Sequence, residues 1–131
     1  MSTDASPPPG VLAGQHVLLV EDETAVSFLI EDMLLELGAR TVSYAASVNA
    51  AQRLLATQTP TMAVLDVNVA GEAVYPVAEE LARRAIPFAF LTGYGRDGIS
   101  QRWSGHQVVQ KPVDLDGLEL ALARLLQSAR A

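Results

Sequence analysis

There is no cysteine anywhere in the chain, which excludes a disulfide framework and a thiolate metal site. Basic residues are also scarce: 9 Lys and Arg stand against 15 Asp and Glu, a formal net charge of -6. So acidic a surface is ill suited to nucleic acid, because phosphate contacts need a basic face. Clustered carboxylates suit a hard cation instead. No apolar run reaches the roughly 18 residues that would suggest a membrane span. The opening MSTDASPPPG has no basic stretch followed by an apolar one, so it does not read as a signal peptide. What remains is material for one domain, since half of the 131 residues are hydrophobic and fill one core without staples. A cytoplasmic domain is the expectation.

Residues 1–14 are rich in Pro, Ser and Gly and read as a flexible tail, with the domain proper over 15–131. From His16 onward, strand-like runs alternate with helical periodicity. HVLLV (16–20) is a continuous apolar run, the pattern of a parallel strand buried on both faces, and MAVLD (62–66) and PFAFLT (87–92), with Pro at its start, read as further strands. TVSYA (41–45) and QVVQ (107–110) complete a set of five. The first helix places Val26, Leu29, Ile30, Met33, Leu34 and Leu37 on one stripe and ends at Gly38. Ser47 and Asp114 stand where helix caps belong, and Pro76 suits a first turn. Val77, Ala78, Leu81 and Ala82 mark the buried side of the third helix. Between Tyr94 and Gly105 the glycines allow at most a short helix. The fold class is α/β: a doubly wound, flavodoxin-like parallel sheet of five strands, order 2-1-3-4-5, with helices on both faces.

In such a sheet ligands sit beyond the carboxyl ends of the strands. Glu21 and Asp22 follow the first strand, Asp66 ends the third, Thr92 ends the fourth, and Lys111 with Pro112 follows the fifth. Singly, each has an ordinary explanation, as cap, turn or surface residue. Four separate strand ends converging on one rim do not. Three carboxylates there repel one another, and Mg²⁺ relieves that repulsion. Asp66 can then serve as an oxygen nucleophile toward phosphorus, with Lys111 and Thr92 stabilising charge on the phosphoryl oxygens.

VLLVEDE, VLDVN, LTGYG and QKP, in this order, resemble the receiver domain of two-component response regulators over about Gln15 to the C-terminus. The resemblance implies Asp66 as phosphoacceptor and Glu21 and Asp22 as the acidic metal pair. It implies the Asn68 backbone carbonyl as a further Mg²⁺ ligand, Thr92 as the sensing hydroxyl and Lys111 as the phosphate-binding lysine. The peptide between Lys111 and Pro112 is typically cis in this family. PFAFLTGYG resembles the FATGUY subgroup of single-domain receivers, linked to general stress signalling, with Leu91 where Ala is usual. The implied partner is a histidine kinase or histidine phosphotransfer protein. The implied role is a shuttle or sink for phosphate in a monomer or weak homodimer. Such a protein catalyses its own phosphorylation and dephosphorylation and is not a metabolic enzyme. With no sequence after the last helix for an output domain, a stand-alone regulator is expected.

Three departures stand out. Val108 occupies the place of the usual aromatic switch residue, and Tyr94 is expected to take over part of that role. Ala70 replaces the usual proline four residues past the acceptor. The span from Thr92 to Lys111 is shorter than is typical. The alternative is a pseudo-receiver, a binding module that works without phosphorylation. A flavin or dinucleotide module is disfavoured, because the loop after the first strand is EDET rather than glycine-rich, and its carboxylates repel a bare phosphate. His16 and His106 have neither metal-ligand spacing nor the helical context of a phosphoryl carrier.

Overall fold

Three apolar runs form the centre of the sheet. In the computed structural model, which describes residues 10–94 and 98–130, β1 (His16–Val20), β3 (Met62–Asp66) and β6 (Phe88–Thr92) lie side by side. β2 (Thr41–Ala45) and β7 (Gln107–Gln110) form the edges. The order is β2-β1-β3-β6-β7 and every neighbour is parallel. This is the 2-1-3-4-5 sheet that the sequence predicts. A two-residue antiparallel hairpin, β4 (Asn68–Val69) with β5 (Glu72–Ala73), is an addition to it.

Side chains alternate across the pleat, so each central strand supplies two cores. Val17, Leu19, Met62, Val64, Ala89 and Leu91 face one side, where α1 (Thr24–Glu36) contributes Ile30 and Leu34 and α4 (Leu115–Arg130) contributes Leu118, Leu122 and Leu125. Leu18, Val20, Leu65, Phe88 and Phe90 face the other. There α2 (Val48–Thr57) brings Ala51 and Leu55, and α3 (Tyr75–Arg83) brings Val77 and Leu81. Burial on both faces explains why these strands carry no polar alternation. The helix ends follow local chemistry. Ser47 Oγ accepts from the Ala50 amide at 3.0 Å, and Asp114 Oδ1 accepts from the Gly117 amide at 2.7 Å. Gly38 ends α1 at a φ of 104°.

The structure corrects several expectations. Residues 10–14 are part of the fold and not of a tail: Leu12 is fully buried, and its amide donates to the Leu37 carbonyl at 2.9 Å. Within the tail expected over 1–14, residues 1–9 lie outside the described residues. Leu29 is exposed although it falls on the apolar stripe of α1, because that helix is apolar on more of its surface than the sheet can cover. Ala82 is exposed as well. The segment from Tyr94 to Gly105 includes a 3₁₀ turn, Gln101–Trp103. Among the described residues, no helix is long and apolar enough to cross a membrane.

Candidate functional site

Parallel strands end on one side, so the groups that follow β1, β3, β6 and β7 meet at a single rim. Carboxylate oxygens of Glu21, Asp22 and Asp66 lie within 4.8 Å of one another. Glu21 and Asp66 are buried and Asp22 is exposed. A cleft of about 420 Å³ opens beside them, lined by Asp22, Asp66, Asn68, Thr92, Tyr94 and Lys111 among others. Hard oxygen donors at this spacing fit a divalent cation such as Mg²⁺. The acidic residues that the sequence singles out are therefore brought together. Asn68, on β4, borders the same cleft.

Lys111 joins the acidic cluster at the rim. Its Nζ donates to Asp66 Oδ2 at 3.0 Å and lies 2.9 Å from Glu21 Oε1. The second Glu21 oxygen accepts from the Glu23 amide at 3.0 Å. Burial by itself would lower the Lys111 pKa, but its contacts with Glu21 and Asp66 outweigh burial and raise it above the ordinary 10.5. The Lys111 amide donates to the Thr92 carbonyl at 2.9 Å, which ties β7 to β6 at the rim. The Lys111–Pro112 peptide is cis. Thr92 is buried, and its hydroxyl accepts from the Tyr94 amide at 3.0 Å. Tyr94 is 80% exposed and lines the cleft. Val108 pairs with Phe90 and packs on a cluster of Tyr75, Phe88, Phe90 and Trp103.

Asp66 is raised from 3.8 to about 6, chiefly by burial, which the hydrogen bond from Lys111 only partly offsets and the charge of Glu21 reinforces. A carboxylate raised on folding stabilises the protein below its ordinary pKa, and this contribution is lost as pH rises through the folded value. Asp66→Asn should therefore stabilise the protein by roughly 2 kcal/mol near pH 7.5 in EDTA, and the gain should vanish below about pH 4. Urea unfolding at both pH values checks this, and a variant less stable than the parent at neutral pH would contradict it.

Three contributors escape a reading of the sequence. The Ala70 amide donates to Asp22 Oδ2 at 3.0 Å. The Tyr75 hydroxyl accepts from the Ser100 amide at 2.8 Å, anchoring the chain after β6 to α3. Gly98 abuts the Thr92 hydroxyl so closely that a Cβ there would lie 2.5 Å from Oγ1. The only signals were the missing proline at position 70 and a glycine in a glycine-rich loop, and neither points to a particular contact.

The rim and the sheet together define a class: an acidic pocket at the carboxyl ends of a 2-1-3-4-5 sheet, with a lysine reaching in from the last strand. The chain belongs to the receiver domains of response regulators. It is similar to SdrG from Sphingomonas melonis Fr1, at 39% identity over 89% of this chain and 98% of that one, with a TM-score of 0.77. The BeF3-activated conformation of SdrG, assigned to Pseudomonas melonis Fr1, matches at 39% over 87% and 98%, with a TM-score of 0.75. The receiver domain of the PhyR response regulator of Erythrobacter litoralis matches at 25% over 90% and 94%, with a TM-score of 0.79. The PhyR stress response regulator matches at 26% with a TM-score of 0.77; the match takes in 88% of this chain but 45% of that one. No family model matches the chain, and no curated protein matches it by sequence.

Proposed function

We propose that this chain accepts a phosphoryl group on Asp66 from a phosphohistidine of a histidine kinase or histidine phosphotransfer protein, and serves as a phosphate shuttle or sink. One observation carries the reading. The buried Asp66 carboxylate faces an open cleft with the Lys111 ammonium 3.0 Å away and two further carboxylates beside it. An Asp66 oxygen forms the bond to phosphorus. The bond from phosphorus to the donor's histidine nitrogen breaks, and that nitrogen keeps the electron pair. Lys111 stabilises charge on the phosphoryl oxygens. The Thr92 oxygen already accepts from Tyr94, so its own proton is left to donate to the phosphoryl group. Mg²⁺, held by Glu21, Asp22, Asp66 and the Asn68 backbone carbonyl, would neutralise the remaining charge.

A protein donor has a surface to meet. Val26, Leu29, Ile30, Pro112 and Val113 line an apolar cleft of about 360 Å³ next to the rim, and Lys111 borders both clefts. Phe28 and Leu29 on α1 are more than half exposed. The likeness to the PhyR stress response regulator, and the FATGUY-like stretch Pro87–Gly95, support a role in general stress signalling. In the absence of an aromatic at Val108, the exposed Tyr94 transmits the state of Thr92. Tyr94→Ala should change partner affinity in one phosphorylation state and not the other, and affinities unchanged from the parent in both states would remove this part.

Intact mass after incubation with Mg²⁺ and acetyl phosphate or phosphoramidate tests the central reading. One added phosphoryl group is expected, and it should be lost in Asp66→Asn and in EDTA. A folded, Mg²⁺-binding protein that gains none, even from phosphorylated histidine kinase or phosphotransfer protein, would instead be a pseudo-receiver.

A further inference from the structure

The β4–β5 hairpin turns through Ala70, at a φ of 50°, and Gly71, at a φ of 82°. Glycine accepts such a backbone freely, whereas alanine pays for it. Ala70 nevertheless stays there with its amide pointed at Asp22, 48 residues earlier, and donates to Oδ2 at 3.0 Å. Asp22 is the exposed member of the acidic cluster. Glu21 is fixed by burial and the Glu23 amide, and Asp66 by burial and Lys111. Among the described hydrogen bonds of Asp22, the Ala70 amide is the one that fixes its carboxylate. A proline at position 70 would have neither the donor nor access to a positive φ.

We infer that the β4–β5 hairpin is a positioning element for the divalent cation: the Ala70 N–H pins one Asp22 oxygen and thereby orients the carboxylate toward the shared site. This inference rests on the Mg²⁺ site of the proposed function and adds the hairpin to it. A carboxylate oxygen that accepts one amide leaves the second oxygen for the cation. Outer partners of metal ligands matter because they fix orientation before the ion arrives. The hairpin turn and the ion are then linked in both directions: an ordered turn favours the ion, and the bound ion favours the turn.

The test is Mg²⁺ affinity, followed by titration calorimetry or by NMR amide shifts, with no phosphodonor present. Ala70→Pro should weaken binding by about tenfold, the low end for loss of a ligand's outer partner. Ala70→Gly keeps the N–H and eases the turn, so it should bind within about twofold of the parent. In an Asp22→Ala background, Ala70→Pro should add nothing, because the residue it acts through is gone. Should Ala70→Pro fail to fold, Ala70→Val takes its place: it keeps the amide, but its β-branch opposes the positive φ. Unchanged affinity in Ala70→Pro, or in Ala70→Val where it stands in, or equal weakening in both backgrounds, overturns the positioning role and leaves the phosphoacceptor reading standing. A folded parent that binds no Mg²⁺ overturns both.

Discussion

Lys111→Met should destabilise the protein by about 3 kcal/mol at neutral pH in EDTA, the low end of the cost of breaking a buried ion pair. Lys111 is the cation in contact with both Glu21 and Asp66 among the described ion pairs. Glu21 has no exposed surface, so without the ammonium its charge has neither water nor a counter-ion. The methylene stem packs much as before, so the loss reports charge and not volume. Because folding raises the Lys111 pKa, the stabilisation is whole below its ordinary value of 10.5 and is lost only as pH climbs through the folded value. Two measurements separate this from general damage. Mg²⁺ should narrow the deficit, since a cation bound to the carboxylates of the folded state replaces the missing charge. Adding Asp66→Asn to Lys111→Met should recover part of the loss by removing one of the two orphaned carboxylates. A Lys111→Met protein as stable as the parent in EDTA would mean that water solvates the rim.

The same rim explains why the site was legible before the fold was known. Asp66 and Thr92 each end a strand, and the Glu21–Asp22 pair and Lys111 each follow one; the first of those strands is a continuous apolar run that reads as buried on both faces. Once the strands are parallel, geometry forces their ends together. The hairpin was not legible. Two-residue strands carry no periodicity, and alanine gives no sign of a positive φ. The missing proline at position 70 showed that something differs there without showing the donor that replaces it. In α1, periodicity could not decide which apolar residues face the sheet. Phe28, Leu29 and Leu35 are exposed although chemically they resemble the buried Ile30 and Leu34.

The N-terminal segment misled for the opposite reason. Val11 and Leu12 are a short aliphatic pair among Pro, Gly and Ala, and composition there reads as tail. In the fold Leu12 is fully buried against the core shared by α1, α4 and the sheet. Its amide satisfies the Leu37 carbonyl at the end of α1, and Ala13 bridges to Ala39. Gly10 passes so near α1 that a Cβ there would lie 2.0 Å from the Leu37 carbonyl oxygen. Leu12→Ala should therefore cost about 3 kcal/mol, as for truncation of a packed core leucine. Gly10→Ala should also destabilise by pushing the segment off α1. The two act on one contact, so the double variant should lose less than the sum of the singles. Urea unfolding measures all three. A Leu12→Ala cost below about 1 kcal/mol, the range of surface substitutions, would show that the segment rests on the core without closing it. A large cost would make Leu12 part of the cooperative domain, ahead of the first strand and within what the sequence alone reads as tail.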